Sequence, residues 1–246
     1  MSEKDLGRMV ERAGPAGIAD QTGRTVRRAR IDAPSVLDTL RADIIALRLK
    51  PGEVLSRQEL QLRFGLSSTP VRDALLRLQE DGLVDIFPQH ATRVSPIDLT
   101  LARQAQFLRR SLEIECVRQL ASRPDAALIG QLESLIRQQM AFDLVGELEA
   151  FSAADHAFHR ALFDAAGVLD LWHLMRRQSG HIDRLRRLHL PVKGKTGEIL
   201  SFHRAIVERI GAGDAEGAAE AMREHLSRSL GFVDTLRDQY PDYFRD

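Results

Sequence analysis

The sequence is poor in cysteine: Cys116 is the single example among 246 residues. A disulfide within one chain needs two cysteines, so the disulfide-stapled class of small secreted domains is excluded. A lone thiol is typical of proteins kept in a reducing compartment. The cysteine content therefore predicts a cytoplasmic chain.

Long hydrophobic runs and a secretory leader are also missing. No apolar stretch approaches the roughly 20 residues that a transmembrane helix requires. The opening residues 1–5 lack the basic segment followed by an apolar segment that marks a signal peptide. Both absences predict a protein that does not associate with a membrane.

Neither sign of charge is in excess, because 35 lysines and arginines balance 35 acidic residues. This balance favours no class of partner, since a DNA-binding protein needs only a local basic surface. Aromatic residues make up 5% of the chain, so we expect a core of leucine, isoleucine, alanine and valine. The length is typical of two domains.

The most informative pattern that is present covers residues 67–78. Apolar residues at i, i+3, i+4 and i+7 spacing predict a helix with one buried face. Ser67 occupies the expected N-cap position, and Ser68, Thr69 and Arg72 lie on the polar side of the first turn. Such groups at the exposed N-terminal end of a helix suit the major groove of DNA. The predicted buried positions are Val71, Ala74, Leu75 and Leu78.

The flanking sequence predicts a winged helix-turn-helix. Ser56 and Glu59 have the spacing of a capping box that begins a helix, and a turn containing glycine separates it from the recognition helix. Apolar residues within 36–47 predict an earlier helix. Two short β-like runs, 83–87 and 92–94, predict a hairpin that forms the wing. The alternative is a helical core module with an additional hairpin.

Three motifs in this region resemble the DNA-binding domain of the GntR family of bacterial transcription regulators: residues 51–56, 65–78 and 81–84. The resemblance implies a homodimer that binds a near-palindromic, double-stranded operator, with the wing tip in the minor groove. The family usually has arginine where this chain has Ser68, so one expected contact is missing. The residues assigned to DNA are Arg57, Gln58, Ser67, Ser68, Thr69, Arg72, His90 and Arg93.

The rest of the chain divides around this module, which is assigned to residues 35–94. Residues 1–34 predict a flexible arm whose arginines, between Arg24 and Arg30, would either contact DNA or stay solvated. Residues 95–98 are expected to be a linker. Residues 99–240 predict an all-helical antiparallel bundle, so the fold class is mainly α. The expected helices cover 99–121, 125–144, 147–166, 168–189, 196–211 and 214–238.

The bundle contains a possible metal site. Asp155 and His159 are four residues apart and share one helical face. His203 and His225 lie on two helices joined by the tight turn 211–214, each about 12–17 Å from that turn. Three helices can therefore direct one carboxylate and three imidazoles to one point. This ligand set suits Zn²⁺, Ni²⁺ or another borderline divalent metal.

The same residues resemble the helical FCD effector domain of the FadR-type branch of GntR regulators. The resemblance implies that the metal holds a small carboxylate effector. It also implies that Arg109 faces the pocket and binds the carboxylate through a bidentate fork; the alternative is a surface ion pair with Glu113. Arg184 is a second candidate for effector binding. The other histidines of the bundle are expected to be ordinary, although His181 could face the pocket: His156, His173, His181 and His189.

These features favour a ligand-responsive transcription regulator, a repressor relieved by a small organic acid. The acid would act by binding two arrangements of the bundle with different affinity. One alternative is a metal-dependent enzyme that uses the Asp/His site. We disfavour it because the sequence has no general base at the spacing of a known metalloenzyme motif. A catalytic role would also leave the helix-turn-helix without a function. The other alternative is a constitutive DNA-binding protein with a structural metal.

Overall fold

The computed structural model describes residues 33–228 and 230–245. Most of the arm expected over residues 1–34, including the arginines between Arg24 and Arg30, lies outside the described residues. Within the described part, eleven α-helices and one two-stranded sheet follow one another in the predicted order, helix-turn-helix first. The mainly α fold class is therefore confirmed.

The N-terminal module, residues 33–94, is a winged helix-turn-helix. Its helices are α1 (Ala33–Ile45), α2 (Arg57–Phe64) and α3 (Ser68–Glu80), and its strands are β1 (Val84–Phe87) and β2 (Ala91–Val94). The two strands pair antiparallel, with Val84 opposite Val94 and Phe87 opposite Ala91. Helix α3, the recognition helix, packs on both α1 and α2, and these contacts fix its position.

Local sequence signals explain where these helices begin and end. The Ser56 hydroxyl accepts a hydrogen bond from the backbone N–H of Glu59, as expected for a cap of α2. Gly65 ends α2 with φ of 66°, a conformation that glycine adopts without steric cost. Ser67 stands at the N-cap of α3 as predicted, but its side chain makes no capping hydrogen bond.

The bundle consists of eight helices and a short 3₁₀ turn. Helix α4 packs on α10, α5 packs on α6, and α9 packs on both α10 and α5. Its main core is built of aliphatic side chains, with few aromatic ones, as the composition predicted. The elements are α4 (Leu99–Ser122), α5 (Ala126–Leu144), α6 (Leu148–Ala165), α7 (Leu169–Gln178), α8 (Gly180–His189), α9 (Lys195–Gly211), α10 (Ala215–Ser227), α11 (Val233–Gln239) and a 3₁₀ turn (Pro241–Tyr243).

Two of the six expected helices are each divided into two. The stretch 168–189 breaks at Ser179, whose hydroxyl donates to the carbonyl of Arg176 and lies 2.6 Å from a carboxylate oxygen of Asp183. The stretch 214–238 breaks after Ser227, because residues further on pack against α8 in a separate hydrophobic cluster. In both places tertiary contacts outweigh the local helical pattern.

The segment 95–98 forms backbone hydrogen bonds with both the N-terminal module and the C-terminal end of the chain. The N–H of Ser95 donates to the carbonyl of Leu83, and the N–H of Ile97 donates to the carbonyl of Tyr243 at 2.7 Å. Ile97 is fully buried. The connection between the N-terminal module and the bundle is therefore a packed part of the fold.

The N-terminal module also rests directly on the bundle. The Arg41 guanidinium, on α1, donates to the carbonyls of Arg176 and Arg177 at the end of α7. Gly180 begins α8 so close to the buried Leu83 that an added Cβ would lie 2.6 Å from a Leu83 methyl carbon. A glycine at this position permits the close approach of the two modules.

Across the described ranges, no helix has both the length and the apolar character needed to cross a bilayer.

Candidate functional site

The four predicted metal ligands meet inside the bundle. Asp155 and His159 come from α6, His203 from α9 and His225 from α10. One ligand atom of each lies within 4.8 Å of all the others. All four side chains are buried, with His225 the most exposed at 7%. The sequence prediction that these helices direct four ligands to one point therefore agrees with the geometry.

Three side-chain atoms of these residues are buried without a hydrogen-bond partner: Oδ1 of Asp155, Nε2 of His203 and Nδ1 of His159. The first two are 3.6 Å apart. Nε2 of His159 lies 3.9 Å from the same oxygen and 3.3 Å from Nε2 of His225. Leaving several acceptor atoms buried and facing one another is costly. A divalent cation among them would satisfy all four, and a carboxylate with three imidazoles is a donor set that Zn²⁺ or Ni²⁺ accepts.

A second layer of side chains orients the imidazoles. Nδ1 of His203 lies 2.9 Å from the amide oxygen of Gln139, and Nδ1 of His159 lies 2.6 Å from Oε2 of Glu113. Two bare acceptors would repel at these distances, so we assign the proton to Nδ1 of both rings. Nε2 of each ring then presents its lone pair to the cluster, the arrangement common around protein-bound metals.

The charges around the cluster already match those of a metal site. Burial would raise the pKa of Asp155, but the Arg186 guanidinium lowers it well below its usual range. Burial lowers the pKa of His203 to about 3 and that of His225 well below its ordinary value. Near neutral pH the protein therefore holds a charged carboxylate at Asp155 and neutral imidazoles at His203 and His225, the forms that bind metal.

Arg109 and Glu113 form a buried pair behind His159. Nε of Arg109 lies 2.6 Å from Oε1 of Glu113, and the glutamate is fully buried. Burial alone would raise the pKa of Glu113, but Arg109 and His159 together lower it to about 2. The ion pair with Glu113 is thus present, although it is not the surface pair that the sequence suggested. Arg109 also lines the cavity described next.

A cavity of about 290 Å³ opens beside the cluster and reaches Asp155 and His225. Five lysines and arginines line it against three acidic residues, so its wall carries an excess of positive charge. The apolar part of the wall includes Phe151, Ile199 and Phe202. A small anion with an apolar body would suit this lining.

Arg184 does not reach this cavity. Its guanidinium is fully buried at the contact between the two modules, where it donates to the carbonyl of Ser95 at 2.6 Å and approaches that of Pro96. His181 is also there, and its Nδ1 accepts a hydrogen bond from the N–H of Asp98. Both side chains fix the connecting segment, so the structure gives neither of them access to an effector in this cavity.

Two histidines outside the metal cluster, His156 and His181, predict a sensitivity to acid. Burial lowers the pKa of His156 and of His181 from 6.5 to about 3. Between pH 6.5 and about pH 3, these two histidines bind protons in the unfolded chain but not in the folded chain. The free energy of unfolding should therefore fall as the pH drops, by about 1.4 kcal/mol per pH unit for each histidine.

Urea unfolding at a series of pH values from about 7 to about 4 measures this dependence. A His181→Asn variant keeps a polar side chain but removes one titrating ring, so its profile should be shallower than that of the wild type. A wild-type profile that is flat over this range would contradict the expectation.

The residues assigned to DNA are all exposed on the N-terminal module. Ser68, Thr69 and Arg72 are exposed on the first turn of α3, opposite the buried stripe. His90 is exposed in the turn between β1 and β2, and Arg93 is exposed on β2. The remaining three, Arg57, Gln58 and Ser67, are exposed at the starts of α2 and α3.

Comparison with known families matches both modules. Residues 33–94 match the model of the gntR family of bacterial regulatory proteins, and residues 104–228 match the FCD domain. A protein from Streptomyces ambofaciens, described as an uncharacterized HTH-type transcriptional regulator in an unstable DNA locus, is 34% identical over 92% of this chain and 93% of its own length. This chain belongs to the GntR family.

Other members agree with this assignment. The HTH-type transcriptional repressor RspR of Escherichia coli is 29% identical over 84% of this chain and 91% of its own. The structure of E. coli McbR/YncC shares the fold, with a TM-score of 0.70 at 20% identity, over 85% of this chain and 98% of that one. The chain is therefore a GntR-family transcription regulator with an FCD domain, and the matched family is one of regulators, not of enzymes.

Three residues of the site are not among those that the sequence predicted. Gln139 and Arg186 carry no motif, and only the fold brings them to His203 and Asp155. Glu113 was noticed as the partner of Arg109, but the i,i+4 spacing does not reveal that the pair is buried. The small residues on the same helix could have predicted its burial, because Ala102, Ala105 and Cys116 also belong to the buried face of α4.

Proposed function

We propose that this GntR regulator is a repressor that binds its operator through α3 and the wing, and that a small carboxylate bound at a metal in the FCD domain relieves the repression. The observation that carries the sensor half is the buried Asp/His cluster, in which unpartnered acceptor atoms face one point beside a basic cavity. Repression is supported by the relative RspR, which is described as a repressor.

The DNA-binding half rests on the exposed end of α3. Ser68 and Thr69 lie where the backbone N–H groups of the first helical turn have no helical partner, a position that favours phosphate. Arg72 follows on the next turn and is exposed as well. The Arg72 side chain is 62% exposed, and its nearest carboxylate, on Asp73, is 3.7 Å away. Its guanidinium is therefore available to fork onto a guanine or a phosphate. In a homodimer, two such helices would read half-sites about one helical turn apart.

Replacing Arg72 should weaken operator binding. We expect Arg72→Ala to cost about 1–3 kcal/mol of binding free energy, the usual effect of losing one good contact to a base or phosphate. Fluorescence anisotropy with an operator selected in vitro by the wild-type protein measures this change. Arg77→Ala is the matched control, because Arg77 is exposed on the same helix but lies more than one turn beyond Arg72. Equal affinities of wild type and Arg72→Ala would remove Arg72 from the interface.

The sensing half is tested by adding small organic acids to the zinc-loaded protein on its operator. We expect at least one acid both to raise the melting temperature and to weaken operator binding about fivefold or more, the usual range of coupling between sites. Neither effect should appear after the metal is removed. If metal raises stability but no acid changes DNA affinity, the metal is structural and the protein binds DNA constitutively.

A further inference from the structure

The wall of the cavity is not built by the FCD domain alone. Ala42, Ile45 and Ala46 of the DNA-binding module line it, and so does Arg48, just beyond the end of α1. The cavity thus lies where both modules meet. A molecule inside it would contact the metal ligands on one side and the DNA-binding module on the other.

A second group of charges lies at the α1 side of the cavity, around Glu149. One terminal nitrogen of Arg48 lies 3.2 Å from Oε1 of Glu149, and one of Arg187 lies 2.9 Å from the same oxygen. Two guanidinium groups therefore share the carboxylate of Glu149. This group contains neither a metal ligand nor a residue that contacts one directly.

The carboxylate of Glu149 is weakly held. Its side chain is 60% exposed, that of Arg48 is 51% exposed, and that of Arg187 is 28% exposed. Ion pairs between exposed side chains contribute little free energy, because water competes for both partners. A carboxylate supplied by a ligand could take the place of Glu149 between the two guanidinium groups at small cost, and it would bind there by charge-assisted hydrogen bonds.

The Arg48 guanidinium is positioned by a hydrogen bond to Asp43. Its Nε donates to Oδ1 of Asp43 at 2.8 Å, which leaves its terminal nitrogens directed away from that carboxylate. Asp43 is buried and has a second partner, because Arg63 donates to its Oδ2. The position of the Arg48 guanidinium is therefore set before any ligand binds.

The two charged ends of the cavity are well separated. Glu149 and Asp155 both belong to α6 and are six residues apart, which corresponds to about 9 Å along the helix axis. A ligand with a single carboxylate can reach one end only. A ligand with two carboxylates joined by a short carbon chain can reach both, with its chain along the apolar part of the wall.

We propose that the cavity binds an elongated dicarboxylate, with one carboxylate at the Asp155 and His225 end and the other between Arg48 and Arg187. This inference rests on the proposed function, since it assumes a carboxylate at the metal, and it adds the ligand class. It also makes Arg48 a residue of the DNA-binding module that contacts the effector directly. Ligand binding would then act on that module without a relay through the bundle.

Calorimetric titration of the zinc-loaded, full-length protein with adipate and hexanoate tests the proposal. The two acids have the same number of carbon atoms and differ by one carboxylate. We expect adipate to bind about tenfold or more tightly than hexanoate, the usual effect of one charge-assisted contact. Arg48→Gln and Arg187→Gln should each reduce this preference towards one and leave the affinity for hexanoate unchanged.

Two further variants separate recognition from general damage. Glu149→Gln removes the competing carboxylate, so it should tighten the binding of adipate and not that of hexanoate. Arg63→Gln is the matched control, because Arg63 also bonds to Asp43 but does not line the cavity. Its preference for adipate should equal that of the wild type.

The outcomes distinguish this proposal from the proposed function. If both acids bind the wild type equally and Arg48→Gln changes neither affinity, the dicarboxylate site is overturned while carboxylate sensing stands. If neither these acids nor shorter monocarboxylates bind the zinc-loaded protein, carboxylate sensing itself is overturned, and the dicarboxylate site with it.

Discussion

His203→Ala should abolish stoichiometric binding of metal. The variant removes one of four ligands, and a loss of about a hundredfold or more in affinity is expected, since even outer-layer residues of metal sites contribute about 10–100-fold. Wild-type protein at a free zinc concentration a thousand times its dissociation constant should gain about 4 kcal/mol in the free energy of unfolding. The variant should gain almost none. Elemental analysis after dialysis and thermal melts with and without zinc measure both effects.

Controls separate the loss of a ligand from damage to the core, because the ring of His203 also stacks on Phe158 with 4.0 Å between centroids. His173→Ala should retain metal, since His173 is exposed on α7 outside the cluster. Asp155→Asn conserves the size of the side chain and should also lose metal. Operator binding by metal-free His203→Ala should stay close to that of the metal-free wild type. Stoichiometric metal in both His203→Ala and Asp155→Asn would refute the four-ligand site.

Replacing Glu113 should have the largest effect on stability. Glu113→Ala leaves the Arg109 guanidinium buried without its partner, and breaking a buried pair in this way typically costs about 3–5 kcal/mol. It also removes the group that orients His159, so metal affinity should fall about 10–100-fold. Urea unfolding of the metal-free variant and competition for zinc with a chelator measure the two effects separately.

The conservative change identifies the cause. Glu113→Gln keeps an oxygen next to His159 but removes the charge, so it should recover part of the metal affinity and less of the stability. Glu115→Ala provides the control on the same helix, because Glu115 is exposed and forms an ion pair with Arg118 at 3.0 Å. Wild-type stability in Glu113→Ala would mean that the Arg109 charge finds another partner in the protein.

The DNA-binding module could be predicted from the sequence almost in full. Its signals are local: a capping box at Ser56, a left-handed glycine at Gly65, and the buried stripe of α3 at helical spacing. Each acts within one turn of helix, so a short stretch of sequence contains its cause. The expected wing is confirmed for the same reason, since β1 and β2 are adjacent in the chain.

The candidate metal site could be predicted only in its first layer. Asp155 and His159 share a face by their spacing, and the short turn between α9 and α10 brings His203 and His225 to one level. Gln139 lies on α5 and reaches His203 across 64 residues of sequence, which no local pattern reveals. For Arg184 the sequence predicts a contact with the effector, whereas its guanidinium donates to the carbonyl of Ser95 in the structure.

The breaks at Ser179 and after Ser227 were missed for a physical reason. Both interrupted stretches keep a helical pattern of apolar residues, and no proline stands at either break. Helix α8 turns away from α7 because Gly180 fits against Leu83 of the other module. The cause is a contact between residues almost a hundred positions apart, which the local apolar pattern does not reveal.

The lining of the cavity by α1 limits how chimeric regulators could be built from this protein. Domain exchange at residues 95–98 would replace Ala42, Ile45 and Arg48 together with the DNA-reading elements, so the hybrid would acquire a new operator and a changed ligand specificity at once. Two junctions, one at Pro51-Gly52 and one within residues 95–98, would leave α1 with the sensor. Such hybrids would then need an α2–α3 pair and a wing whose buried face fits the retained helix.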